Sequence, residues 1–329
     1  MLAQSAQWSD TDGHIRPFQL HRDLNGLATL IEAAFGHELQ EAHSHIVRDM
    51  RQMALMGPLL LAAGAVAPFT GFVWIEDGRL VGNVSYGRES RGIAACSISN
   101  VAVLPEYRGR GIASRLLDTA LEHLARQGCR RVFLEVRADN DPAKSLYRKR
   151  GFTVYNTVHE QYLSGYSWPV ILGEPARPLR RVRARDAAEL YRLYLASTPR
   201  AVLRARPRTA DDFRRGLGWR LRGLGRYLLS GERREERVGE AGGRIVALGA
   251  MTAYATRRPW EIDLMVAPEH RGTWERPLLE ALLARWPLGA LADARATTPA
   301  FHPEAIEALA SLGFSTQRVL DQMVLDVAG

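Results

Sequence analysis

The 329-residue chain reads as a mixed α/β (α+β) protein made of two successive copies of one plan. Three observations lead there. Apolar, β-branched runs such as Phe72–Ile75 and Arg131–Val136 alternate with stretches whose apolar residues fall at helical spacing, such as Ile112, Leu116, Leu117 and Ala120. Landmarks then return in the same order: Asp23 and Leu27 match Asp186 and Leu190, 163 positions on. Gly78-Arg79-Leu80-Val81 returns as Gly243-Arg244-Ile245-Val246, and Gly151-Phe152 as Gly313-Phe314. Finally, residues 164–178, rich in Gly and Pro, separate the copies as a linker would.

The first copy is taken in order. Residues 1–14 are polar and are expected to be a loose tail. Ile15–Phe18 suggests a first strand, and Asp23 is expected to cap a helix carrying Leu24, Leu27, Leu30, Ile31 and Phe35. Residues 37–56, with His37, His43 and His45, suggest a second helical segment. Residues 72–84 read as strand, Asp77-Gly78 turn, strand. Residues 92–104 give a further strand, and a helix then runs to about Gly128. A strand at Arg131–Val136 and a helix from Asn140 to Arg150 follow, with Gly151 in the usual stop position.

Composition sets outer limits. With 46% hydrophobic residues, the chain can bury a core in each of two domains. The apolar stretch near 59–69 is broken by Gly64 and Pro68 and is too short to span a bilayer. The N-terminus lacks the charged-then-apolar pattern of a secretory signal, so a cytoplasmic protein is expected, with no membrane partner. Cys96 and Cys129 are too few for a disulfide framework or a metal site, and both read as inert core residues. The net charge of +8 is nearly all arginine, since Lys144 and Lys149 are the only lysines. The arginines of 177–237 lack interleaved aromatics or a nucleic-acid motif. They read as solvated helix faces, and nucleic acid is not an expected partner.

The chemistry concentrates in Ser99–Leu117. There a strand ending at Val101-Ala102-Val103 meets the turn Pro105-Glu106-Tyr107, and Arg108-Gly109-Arg110-Gly111-Ile112-Ala113 opens a helix. The first N–H groups of a helix have no internal partner and carry partial positive charge. Glycines at 109 and 111 would let a phosphate approach without meeting a Cβ, and Arg108 and Arg110 add charge. No Lys-Ser/Thr pair follows, which excludes a Walker loop, and the third glycine of the dinucleotide fingerprint is missing.

Arg108, Gly111 and Ala113 fill the Gln/Arg-x-x-Gly-x-Gly/Ala pattern, and in it the chain resembles the acyl-CoA loop of the GNAT superfamily of N-acetyltransferases. A second stretch agrees. Leu134-Glu135-Val136-Arg137-Ala138-Asp139-Asn140, then Leu146-Tyr147 and Gly151-Phe152, is similar to the ribosomal-protein alanine N-acetyltransferases. The resemblance covers about residues 15–163. It implies two tandem GNAT (acyl-CoA N-acyltransferase) folds, each a mixed, mostly antiparallel sheet flanked by helices. The strands ending at Val103 and Val136 would splay, with acetyl-CoA as co-substrate in the gap and no metal. Val101, Ala102 and Val103 would face the pantetheine arm, Arg108–Ala113 the pyrophosphate, and Asn140 the coenzyme arm. Tyr147 would protonate the departing thiolate. Glu135 is the first candidate for the base; its alternatives are pairing to Arg131 or Arg137 or simply facing solvent, with another carboxylate or water as the base. His43, His45, His159 and Glu160 could reach the substrate side, but each reads more simply as an ordinary surface or half-buried residue.

The doubled architecture is similar to that of mycothiol synthase, but here the loop residues favour the first copy as the active one. In the second copy Trp274 replaces Gly111, Arg276 replaces Ala113 and Leu309 replaces Tyr147. The Trp274 side chain is expected to fill the pyrophosphate space. The domains expected are therefore a catalytic one at 15–163 and a degenerate one at 179–329. The acceptor is an amine on a small molecule, peptide or protein that the sequence does not name, and a homodimer is left open. The competing reading is a non-catalytic acetyl-CoA sensor or interaction protein.

Overall fold

The structure, a computed structural model, describes residues 13–41, 70–89, 94–171, 173–255, 258–284 and 292–327. The chain divides into two compact units. One holds Met1–Glu135, Pro142–Thr153 and Met323–Gly329, and the other Val136–Asp141 and Val154–Gln322.

In the first unit, β1 (His14–Pro17) leads into α1 (Leu20–Glu41). The helix begins before Asp23, so Asp23 is a first-turn carboxylate and not the cap that the sequence suggested. It accepts the Gln19 N–H at 2.7 Å and takes both prongs of the Arg16 guanidinium at 2.7 and 2.6 Å. The stretch expected as a second helical segment continues α1 as far as Glu41, and His43 and His45 lie outside the described residues. β2 (Gly71–Glu76) and β3 (Arg79–Arg88) form the expected hairpin. Asp77 and Gly78 both have positive φ, 49° and 71°, as a turn matched to strand twist requires.

β4 (Ala95–Val103) pairs antiparallel with β3 and parallel with β5 (Arg131–Arg137). Between them runs α2 (Ile112–Arg126), whose Leu116, Leu117, Ala120 and Leu124 are buried. Gly82 on β3 lets α2 sit close: a Cβ there would meet Ile112 and Leu116 at 3.0 Å. α3 (Asp141–Arg148) follows β5, and Gly151 stops the turn beyond it with φ 86°.

Cys96 and Cys129, expected as separate core residues, form a disulfide across 33 positions. Cys96 is the second residue of β4 and Cys129 lies two residues before β5, so the parallel pairing of those strands brings them together.

The second unit repeats the plan. β7 (Leu179–Arg181) precedes three helices, α4 (Ala187–Ser197), α5 (Arg200–Ala205) and α6 (Leu217–Ser230). Arg180 and Asp186 repeat the Arg16–Asp23 bond at 2.6 and 3.1 Å. β8 (Arg233–Ala241), β9 (Arg244–Ala253) and β10 (Trp260–Val266) are antiparallel neighbours, and β10 runs parallel to β11 (Ala294–Pro299). α7 (Glu275–Leu283) and α8 (Pro303–Ser311) cover the sheet. Two clusters fill the core, one around Met251, Leu279 and Phe314 and one around Leu190, Val246 and Trp274.

The last strand of each repeat departs from the boundaries read in sequence. β6 (Thr153–Leu163) pairs with β11 from Val158 to Leu163, inside the second unit. The end of β12 (Ser315–Asp326) belongs to the first unit, where Asp326 accepts Arg131 at 2.6 Å and the Val327 N–H reaches the Arg130 carbonyl at 2.9 Å. No helix of the described residues is long and apolar enough to cross a membrane.

Candidate active site

The site begins where β4 leaves its neighbour. Its parallel pairing with β5 runs over Ala95–Ser97 against Arg131–Phe133, whereas both strands continue beyond that. A gap therefore opens on the β5 side of Val101–Val103. On the other side of β4 the register with β3 shifts between Asn83 and Ser85. Asn83 faces Ala102 and Ser85 faces Ser99, so one β3 residue meets two on β4. This is a β-bulge, which bends a strand and re-aims its groups. Asn100 sits in it with φ 50°, a left-handed conformation uncommon outside glycine.

Beyond Val103 the turn Pro105–Tyr107 delivers the loop to α2. Gly109 and Gly111 both have φ 77°, and a Cβ at either would meet nothing within 4 Å. The glycines are thus required by backbone conformation, and the space over the loop is open. Gly111 is the N-cap of α2 and supplies no side-chain cap, and the first turn holds no carboxylate. The helix N-terminus keeps its donors and its partial charge available to an anion.

The two loop arginines do different things. Arg108 donates from Nε to the Val103 carbonyl at 3.2 Å and ties the loop to the strand end. Arg110 pairs with Glu76 at 2.6 Å, and Trp74 donates its indole N–H to the same carboxylate at 3.2 Å. The Arg110 bond, with help from Trp74, holds the Glu76 carboxyl below its ordinary range against the opposing effect of burial.

Tyr147 lies on the buried face of α3, 6% exposed, with its ring edge-on to Phe152 at 5.9 Å. Burial pushes its phenol up to about 12. Glu135 is exposed on β5, between buried Leu134 and Val136. Asn140 is exposed in the turn before α3, and its N–H donates to the Arg137 carbonyl at 3.0 Å. On β6, His159 is half-buried and Glu160 is ion-paired to Arg318.

The corresponding place in the second unit is closed from within. β10 pairs with β9 without a shift from Glu261 to Val266, and Leu248 stands opposite Met265 where Asn83 stands opposite Ala102. Gly272 keeps the positive φ of Gly109, at 78°. Trp274 does not. Its φ is −114°, and its side chain, 2% exposed, turns into the core against Gly239. The expectation that this indole fills the pyrophosphate space is therefore corrected: it points inward, because a bulky residue avoids the left-handed conformation that Gly111 adopts. The helix end is satisfied by a neighbour. Glu275, 1% exposed, accepts the Trp274 N–H at 3.2 Å and meets His302 Nε2 at 2.7 Å. Burial raises the Glu275 carboxyl, but His302 and the backbone N–H groups outweigh it and hold it below the ordinary range. Counting back from Gly313, His302 occupies the place of Asn140.

Sequence reasoning missed Asn83, Glu76, Glu275 and His302. Asn83 carried one signal, as the polar residue in the apolar run Leu80–Val84.

Splayed parallel strands, a bulged β4 and a glycine loop opening an uncapped helix define the acyl-CoA N-acyltransferase class of fold. The Acetyltransferase (GNAT) family model matches residues 28–152. N-alpha-acetyltransferase 30 of Schizosaccharomyces pombe is 33% identical over 104 residues, which cover 30% of this chain and 67% of that protein. The chain belongs to the GNAT acetyltransferase family. Mycothiol acetyltransferase of Corynebacterium glutamicum is 46% identical over 84 residues, covering 26% of this chain but only 24% of that protein. Two solved structures extend the likeness of fold to both halves. A GCN5-related N-acetyltransferase from Sphaerobacter thermophilus has a TM-score of 0.64 at 16% identity, covering 96% of each chain. A tandem GNAT protein from the clavulanic acid biosynthesis pathway has a TM-score of 0.54 at 17% identity, covering 97% of this chain and 99% of that one. The protein is an acyltransferase enzyme of two tandem GNAT folds.

Proposed function

We propose that the first repeat, residues 15–163, transfers the acetyl group of acetyl-CoA to a primary amine, and that the second, residues 179–329, keeps the fold without a coenzyme site. One observation carries this reading. The bulged strand and the open helix end occur together in the first repeat, and the second has neither.

In this reading the pantetheine arm lies along Val101–Val103 and pairs with their backbone. The pyrophosphate sits on the N–H groups of the 108–113 loop, where the helix dipole favours negative charge. Co-binding of both reactants supplies much of the rate. The acceptor nitrogen attacks the thioester carbon, the new C–N bond forms, and the C–S bond breaks. Attack needs a neutral amine, whereas an α-amino group titrates at about 7.7–8.0 and a lysine at about 10.4. The proton leaves to Glu135 directly or through water, which its exposure permits. Tyr147 keeps its proton at every physiological pH, because burial holds the phenol at about 12. It therefore donates a hydrogen bond to the departing sulfur and passes its proton to the thiolate, which leaves as coenzyme A thiol, and the proton released by the amine through Glu135 and water restores the phenol.

The experiment is calorimetric titration of acetyl-CoA into the full chain, followed by an amine screen that monitors thiol release. One site per chain and acetylation of some amine are expected. Absence of acetyl-CoA binding would overturn the reading, and two sites per chain would overturn the assignment of the second repeat.

A further inference from the structure

The bulge in β4 needs a cause, since Asn100 adopts a positive φ that a non-glycine residue takes only when its surroundings hold it there. Its neighbours supply one. Asn83 on β3 is fully buried, and its Nδ2 donates to the Asn100 carbonyl at 3.0 Å and to Ser85 Oγ at 3.1 Å. Those two acceptors mark the bulge from either side, because Ser85 is the first β3 residue past the register shift. Asn83 Oδ1 has no hydrogen-bond partner among the described residues. A buried acceptor left unsatisfied opposes folding, so the carboxamide is kept at a cost to stability. The second unit is the natural control. Leu248 stands at the matching position, cannot donate, and the strands there run in unbroken register.

We infer that Asn83 is a positioning residue that pins the β4 bulge and thereby aims the backbone of Val101–Val103 at the acyl-bearing arm of the coenzyme. The inference rests on the acetyl-CoA reading above and adds to it a residue that touches neither the thioester nor the pyrophosphate. Its effect is confined to the acyl end. The α2 N-terminus, which takes the phosphates, is built from other residues.

Two variants of the full chain test it. Asn83→Leu copies the second unit, and Asn83→Val removes the donor with a smaller side chain that suits a strand. Each is titrated with acetyl-CoA and with adenosine 3′,5′-bisphosphate, which carries the phosphate end alone. Loss of one well-formed hydrogen bond network corresponds to about tenfold in affinity. The expected result is that loss for acetyl-CoA in both variants, with less than about a twofold change for the bisphosphate. Unchanged acetyl-CoA affinity overturns the inference. So do equal losses for the two ligands, which would mark a purely structural role. A crystal structure of Asn83→Leu reads the bulge without any ligand: an unshifted β3–β4 register with negative φ at Asn100 supports the inference, and a retained bulge overturns it. If the wild-type protein binds no acetyl-CoA, the acetyltransferase reading fails, and this last measurement still decides what holds the bulge.

Discussion

The 108–113 loop and its counterpart at 271–276 begin alike and end differently. Both leave a strand through Pro-Glu, both carry Arg-Gly, and Gly109 and Gly272 share a φ of 77–78°. They diverge at one backbone conformation. Gly111 continues in the left-handed region and leaves the helix end open, while Trp274 takes φ −114° and lets Glu275 close it. In the second loop a carboxylate of the chain takes up a donor at the helix end, while the indole turns into the core. Reverting Trp274 alone would not reopen the second site, because Glu275 and His302 would remain.

The most severe way to break the comparison is Gly111→Trp, which imposes the second loop's residue on the first. The φ of 77° is strained for any side chain, and such strain costs about 1–3 kcal/mol before any clash with a phosphate. Acetyl-CoA affinity should fall by more than about 100-fold in calorimetry, with stability lowered by no more than that strain because no atom lies within 4 Å of the added Cβ. Retained binding would mean that the open helix end is not where the phosphates sit.

Next in size is Glu275→Ala. Removing one partner of a buried pair leaves the other uncompensated and costs about 3–5 kcal/mol. The loss should appear in denaturant unfolding of the second unit, with acetyl-CoA binding retained. The pH sign follows from the lowered carboxyl. Its stabilisation is complete above the ordinary carboxylate range and disappears as pH falls through the depressed folded value. Wild type and variant should therefore converge in acid. A gap that instead widened below pH 4 would show that the carboxylate is not the stabilising form.

Much of this comparison was legible in the sequence, and the illegible part has one physical character. Helices and strands were readable from local period, and the loop from residues within six positions of one another. The bulge was not, because it depends on a bond between Asn83 and Asn100, which are neighbours only across a strand pair. The Glu275–His302 pair joins residues 27 positions apart, and the Cys96–Cys129 bond spans 33. The exchange of β6 and the end of β12 between units was equally hidden, because a strand's own residues do not name its partner. Trp274 is the instructive case. Its size suggested an indole filling the pyrophosphate space, but the direction of its side chain depends on the space over Gly239.

A smaller effect separates binding from chemistry. Tyr147→Phe should leave acetyl-CoA affinity within about twofold and lower kcat by about 100-fold, the low end of the range for loss of a general acid. Tyr147 should not produce a basic limb in the pH–rate profile below about pH 11, since burial holds the phenol at about 12. A basic limb abolished by the substitution would show that the site lowers that value when coenzyme binds. Unchanged kcat would mean that Tyr147 is not the group that assists the departing sulfur.

The smallest effect concerns the charge of the loop. Arg110 looks like the obvious phosphate ligand, yet it is tied to Glu76 at 2.6 Å and stacked over Tyr107 at 5.3 Å. Its guanidinium is 51% exposed, so the pair is screened by solvent and weak. Arg110→Gln should therefore lower acetyl-CoA affinity by no more than about threefold. Glu76→Gln should act in the opposite direction, raising affinity by about twofold at low salt, because it frees a positive charge beside the open helix end. Acidification should mimic that gain only below the ordinary carboxylate range, since the Arg110 bond holds Glu76 ionised at higher pH. The second repeat has Thr273 in place of Arg110 and no such pair to release. A large loss from Arg110→Gln would mean that the guanidinium leaves Glu76 for the phosphate. The first loop would then owe its anion affinity to a side chain more than to the helix end that sets it apart from the second.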